Sequence, residues 1–273
     1  MDPLLIIALV AIGIGAGTIG ALFGIGGGII FIPVLTILFD LSASEAVAVS
    51  LTGIIATSAG AASFYVKNGS ANIRLGLLLE ITTSIGAMAG AFFAMYAANW
   101  VLLFMFGCVL IYSAVSMILR KERIIEHSEG EGSMNFSYSD SKDHTVKRYE
   151  VKNVKSGLLA CTAAGVLSSL TGVGGGTIKI PLMNIHMRVP IKVATATSSY
   201  MIGITAFSGA IVYFIHGDLL LDYAAAIAVG AFLGSIIGTR ASRLIDAGPM
   251  RRYFSILLLA ISVIIFLEAG GVL

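Results

Sequence analysis

From Pro3 to Phe39 no side chain is charged, and none is charged from Ile81 to Leu119. Such runs do not belong to a water-soluble domain, where about a quarter of residues are charged; here the share is 12%. A bilayer core takes a helix of about 20 apolar residues. Lipid offers no partner to backbone groups left outside a helix or closed barrel. With a mean hydropathy of +0.96, the chain reads as an all-α integral membrane protein whose main surroundings are the lipid bilayer.

Ten hydrophobic helical segments can be traced, at residues 4–23, 28–39, 45–66, 75–97, 100–119, 156–172, 176–187, 191–215, 221–240 and 252–270. The first lacks a basic leader and an A-x-A cleavage site, so it is expected to stay as a span. Residues 120–155 differ in character. They hold Arg120, Lys121, Arg123, Lys142, Lys147, Arg148, Lys152 and Lys155 among acidic residues, and Ser128 to Ser141 is rich in Gly, Ser and Glu. This composition predicts a solvated, mobile linker. The expected organisation is a five-segment unit at 1–119, the linker at 120–155 and a second five-segment unit at 156–273.

Lys and Arg collect in cytoplasmic loops. If the N-terminus is outside and every segment switches sides, sixteen of the seventeen basic residues fall inside, and Lys179 lies within an apolar segment. Asp40, Glu45, Asp218 and Asp222 fall outside. The expected placement is therefore a multi-pass protein of the cell (inner) membrane, with both termini outside and a cytoplasmic linker.

The two units repeat at a constant offset of 148 residues. Gly17-Thr-Ile-Gly-Ala-Leu-Phe-Gly-Ile-Gly-Gly-Gly-Ile-Ile-Phe-Ile-Pro33 aligns with Gly165-Val-Leu-Ser-Ser-Leu-Thr-Gly-Val-Gly-Gly-Gly-Thr-Ile-Lys-Ile-Pro181. Without a gap, the offset also pairs Ser50 with Ser198, Thr57 with Thr205, Tyr65 with Tyr213, Gly86 with Gly234 and Gly90 with Gly238. Five segments per unit is an odd number, so the units enter the membrane from opposite sides. Loop charges agree: Asp40 and Glu45 align near Arg188 and Lys192, and Lys67 and Arg74 near His216 and Asp222. A 5+5 inverted repeat is a pattern found in transporters.

Segments 28–39 and 176–187 are too short to span: twelve residues rise about 18 Å against a core of about 30 Å. Each follows a glycine run, so 4–39 and 156–187 are expected to be two re-entrant, Gly-broken hairpins. Their tips, Gly26, Gly27 and Gly28 with Gly174, Gly175 and Gly176, would offer unpaired N–H groups to a small anionic substrate. Tight helix crossing is the competing explanation. Lys179, just past the second tip, is a charged residue at depth and so a candidate substrate partner, with snorkelling or a structural pair as the competing explanation; its counterpart is Phe31. Thr171, Thr177, Ser50 and Ser198 add hydroxyls near the tips, although such hydroxyls also bond their own helices. Glu80 is expected near the cytoplasmic edge, with an interfacial role favoured over a proton relay. Cys108 and Cys161 are expected to be buried small hydrophobes. His127 and His144, alone in the linker, carry no metal-site pattern. Gly15-Ala-Gly-Thr-Ile-Gly20 matches a dinucleotide fingerprint by spacing alone, because no strand precedes it. No cofactor and no nucleic-acid partner are implied.

The doubled G-x-G-G-G-x-x-x-x-P motif, Ala46-Val-Ala-Val-Ser-Leu51 with Ala194-Thr-Ala-Thr-Ser-Ser199, and the five-plus-five layout resemble the sulfite exporter TauE/SafE family. The resemblance covers nearly the whole chain outside 120–155. It implies transport of sulfur-containing anions such as sulfite, thiosulfate or organosulfonates, coupled to an ion such as the proton, with export the expected direction. Two other classes compete. A cation transporter should show paired acids at depth, and none is evident near the breaks. An intramembrane enzyme should show H-E-x-x-H, twin aspartates or a Ser/His pair at depth, and the spans contain none, so the chain is expected not to be an enzyme. Substrate identity, the direction of transport, the coupling ion and the oligomeric state are left open by the sequence.

Overall fold

The computed structural model describes residues 2–119, 135–139, 146–242, 256 and 259–267. Helix dominates. The elements run α1 (Pro3–Phe23), α2 (Gly28–Phe39), α3 (Ala43–Lys67), α4 (Ile73–Ala94), α5 (Asn99–Leu119), β1 (Asn135–Ser139), β2 (Val146–Glu150), α6 (Val154–Thr171), α7 (Gly176–Pro181), α8 (Ile191–His216) and α9 (Leu221–Ala241). A π turn, Leu182–His186, extends α7. Residues 259–267 form a further helix, which lays Phe266 against Gly107 and Phe104 of α5. Helix starts follow local chemistry. Asp2 accepts from Leu4 N–H ahead of Pro3, Ser42 and Glu45 form a reciprocal capping box, and Asn72 caps α4.

Six helices, α1, α3, α4, α6, α8 and α9, are long and apolar enough to cross a membrane. Their faces are sorted in the sense that lipid demands. On α4 the large side chains Leu77, Ile81, Ile85, Met88 and Phe92 point outward, while Gly76, Thr83, Gly86, Ala87, Gly90 and Ala91 point inward. On α9, Val229, Phe232, Leu233 and Ile237 face outward and Gly230, Ala231, Gly234 and Gly238 inward. Water outside would penalise that outer surface; lipid does not, and small inner residues let backbones close up. The protein is a multi-pass membrane protein.

Contacts recur at the offset of 148. Helix α1 lies along α9, with the Val10, Ile14 and Thr18 carbonyls against Gly230, Gly234 and Gly238. Helix α4 lies along α6, with the Thr162 and Val166 carbonyls against Gly86 and Gly90. Adding 148 to Ile14, Thr18, Gly86 and Gly90 gives Thr162, Val166, Gly234 and Gly238, so the second seam restates the first with the units exchanged. Between the seams, the equivalent helices α3 and α8 run antiparallel. Ser44 at the head of α3 meets Asp218 beyond the end of α8 (2.6 Å), and Ser58 further along meets the Ser199 carbonyl (2.6 Å). Tyr65 donates to the Ala21 carbonyl (3.3 Å), and its counterpart Tyr213 donates to the Ser169 carbonyl (2.8 Å).

Two expectations are corrected. The 120–155 region is not a featureless linker throughout, because β1 and β2 pair as an antiparallel hairpin with Phe136 opposite Tyr149. Tyr149 is buried and its hydroxyl accepts from the Asn72 side chain (2.8 Å); Val151 is buried as well. Cys108 is exposed on α5 rather than buried, while Cys161 is buried as expected. His127 and His144 lie outside the described residues. Gly15 to Gly20 sit inside α1, where no phosphate loop can form.

Candidate functional site

The two glycine runs are built alike. Gly24, Gly26 and Gly27 have φ of 72°, 84° and 87°; Gly172, Gly174 and Gly175 have 62°, 83° and 68°. L-residues with a Cβ are disfavoured there, which is why the helices stop where they do. Gly24 and Gly172 end α1 and α6 as left-handed caps, and α2 and α7 start at Gly28 and Gly176. The first N–H groups of α2 have no partner inside that helix.

The runs also touch each other. A methyl group added at Gly176 would lie 2.5 Å from the Gly24 carbonyl oxygen, and one at Gly28 would run into the Gly172 carbonyl oxygen. Ser198 Oγ donates to the Gly24 carbonyl (3.2 Å), and Ser50 Oγ donates to the Gly172 carbonyl (2.8 Å). Each serine therefore holds the break of the other unit. Residues 24–29 and 171–177 are all buried, with Ile54 and Ile202 packed against Gly26. In this closed arrangement Ser50 and Ser198 are engaged with carbonyls. Thr171 is engaged too, bonding back to Leu167 O (2.6 Å). Thr177, 7% exposed, has no hydrogen-bond partner, and neither does buried Ser168, which lies beside Gly175.

Lys179 is fully buried, and its partner is a residue expected elsewhere. Its Nζ lies 3.2 Å from Glu80 Oε2 and donates to Thr205 Oγ1 (2.5 Å). Thr205 donates to Glu80 Oε1 (2.5 Å), as does Ser84 (3.2 Å). Glu80 is 3% exposed, so the interfacial role expected of it is corrected: it is buried inside the protein and paired with Lys179. It sits seven residues along α4 from Ile73, about 10 Å from the start of that helix. The signal was present: Gly76, Glu80, Thr83, Ala87 and Gly90 share one helical stripe, and that stripe faces inward. This brings one acid, not a pair of acids, to Lys179 beside the second break. Among the described residues no group of three or more His, Cys, Asp or Glu side chains could hold a metal ion.

Buried, non-helical backbone between apolar helices is tolerated at membrane depth only where protein or an aqueous cavity surrounds it. Paired breaks of this kind, with a charge pair beside them, place the chain in the class of polytopic helical membrane transporters. Residues 9–265 match the family Sulfite exporter TauE/SafE. The chain is 29% identical over 244 residues to the "Probable membrane transporter protein YunE" of Bacillus subtilis, covering 87% of this chain and 88% of that one. It is 28% identical over 216 residues to the "Probable membrane transporter protein MJ0441" of Methanocaldococcus jannaschii, covering 77% and 73%. The "Sulfite exporter TauE/SafE family protein 5" of Arabidopsis thaliana shares 31% over 107 residues, covering 38% and 24%. No solved structure matches. This chain belongs to the sulfite exporter TauE/SafE family of membrane transporters.

Proposed function

We propose that the protein is a secondary transporter of small sulfur-containing anions, such as sulfite, thiosulfate or organosulfonates, working in the export direction. The observation that carries the reading is the contact between two buried glycine breaks with Lys179 beside the second. The substrate site would comprise Gly26 to Gly28, Gly174 to Gly176, Thr171, Thr177, Lys179, Ser50 and Ser198. In the closed arrangement the serines hold backbone carbonyls; opening would free them. The reciprocal contacts and the antiparallel α3 and α8 support an inverted 5+5 repeat with two re-entrant hairpins. Alternating access would then follow from the glycine-lined pairs α1–α9 and α4–α6 moving as stiff units about α3 and α8. Loop charges support a cell-membrane protein with both termini outside and residues 120–155 in the cytoplasm.

A second reading, a cation carrier, draws on the buried Glu80 carboxylate. Lys179 already neutralises that carboxylate, which favours the anion. The test is flux. Proteoliposomes holding the purified protein should exchange radiolabelled sulfite or thiosulfate, and unlabelled organosulfonates should compete. Sodium or potassium flux with no sulfur-anion flux would replace the proposal with the cation reading.

A further inference from the structure

We propose that Glu80 is the proton-binding site of the transport cycle: its carboxylate stands in for the substrate anion on Lys179, and it takes up one proton when a substrate anion displaces it. This rests on the anion reading above and adds the co-transported ion, its residue and its stoichiometry; the proton moves in the same direction as the anion, so net export would be driven by the anion's own gradient and not by the proton's.

The first support is the donor set. Glu80 receives an ammonium from α7, a hydroxyl from Thr205 on α8 and a hydroxyl from Ser84 on its own helix. A cation and neutral donors converging on a planar oxyanion is the arrangement a small sulfur oxyanion would also need. The carboxylate comes from α4 and the ammonium from α7, 99 residues apart in sequence, so separating them requires one helix to move against another.

The second is that the fold closes without this pair. At the offset of 148, Lys179 corresponds to Phe31, Glu80 to Ala228 and Thr205 to Thr57. There Phe31 is fully buried against Gly53 and an apolar cluster containing Ile227. Apolar packing does the same structural work, and a buried ion pair is often no more stabilising than such packing. The pair on one side alone therefore calls for a role beyond closure.

The third is electrostatic. An anion arriving at Lys179 breaks the Lys179–Glu80 pair and forms a Lys179–anion pair. Glu80 would be left as a bare carboxylate on the inward face of α4, where burial penalises the charged form. A proton from the aqueous phase, bound to a Glu80 carboxyl oxygen, removes that charge. For a monoanion the three groups then sum to zero, as the empty pair does. Release of the anion and the proton restores the Lys179–Glu80 pair. Among the described residues, the other ionisable group facing Glu80 and Lys179 is the thiol of Cys161, buried on α6; Thr205 and Ser84 are neutral.

The test is calorimetric binding of methanesulfonate and thiosulfate, which keep one charge state across the range, to the purified protein from about pH 6 to about pH 8. Repeating it in buffers of different ionisation enthalpy counts protons. The wild type should bind more weakly by about tenfold per pH unit, with one proton taken up per anion. Glu80→Gln should bind with no pH dependence and no proton uptake, and Cys161→Ser should behave as wild type. Anion binding by the wild type without proton uptake would overturn this inference and leave the anion transporter standing. Proton uptake that persists in Glu80→Gln would also overturn it. Failure of the wild type to bind any sulfur anion would remove the anion reading itself. Should Glu80→Gln not fold, the wild-type proton count decides alone.

Discussion

The two glycine breaks share one backbone and differ in the polarity of four side chains beside it. Beside the second break stand Ser168, Thr171, Thr177 and Lys179; at the same positions beside the first stand Gly20, Phe23, Ile29 and Phe31. The φ angles, the serine clasps and the close approaches are reciprocal. Polarity is not. The backbone geometry is thus a property of the repeat, kept by glycines that nothing else can replace. The chemistry is a property of one unit, laid onto a scaffold that works equally well dry. On the proposed anion reading, recognition belongs to the Lys179 side and mechanical closure to both.

The largest expected effect separates the two sides. Lys179→Met strands the Glu80 carboxylate in a buried site, which costs about 3–5 kcal/mol. The double variant Lys179→Met/Glu80→Gln removes both charges and should recover most of that loss. Thermal unfolding in detergent reads the cycle, and additive losses would mean that the two side chains do not act as a pair.

The next effect should be the same on both sides. Gly28→Ala and Gly176→Ala each push a methyl group into a backbone carbonyl of the opposite break. Overpacking of this sort costs about 1–3 kcal/mol. The two melting temperatures should fall together. A large loss from one with none from the other would mean that the breaks are not equivalent as scaffolds.

The smallest effect concerns the clasps. Ser50→Ala and Ser198→Ala each leave a buried carbonyl short of one donor, at about 1 kcal/mol apiece. Matching losses sharpen the picture of reciprocal closure. A far greater loss of transport than of stability for either one would place that serine on the substrate as well.

Much of the architecture is legible in the chain because lipid allows few solutions. Uncharged runs set the helices, and glycine triplets set where they stop, since a left-handed backbone excludes nearly every other residue. Lys179 stands out for the same reason, as a charge where none is tolerated unpaired. The partner of Glu80 was missed because position along a segment does not say which way a residue faces. The direction of Glu80 is carried by the glycine and threonine stripe around it, and its partner lies on a helix 99 residues away. The hydroxyls show a second role that the sequence hides. Ser50 and Ser198 look like substrate donors in the sequence, yet in the closed fold they bind carbonyls, a role that needs the other unit in place to be seen. The β1–β2 hairpin escaped notice because the residues that dock it, Phe136, Tyr149 and Val151, are few and lie inside a stretch whose composition reads as solvated.

The central claim is that Lys179 and Glu80 form the position where a substrate anion exchanges with an internal carboxylate. The most direct test is equilibrium binding of thiosulfate to the purified Lys179→Met/Glu80→Gln protein beside the wild type, with both shown to be folded by their melting curves. The account predicts that the wild type binds and the uncharged double variant does not. Equal affinity in the two proteins would contradict it.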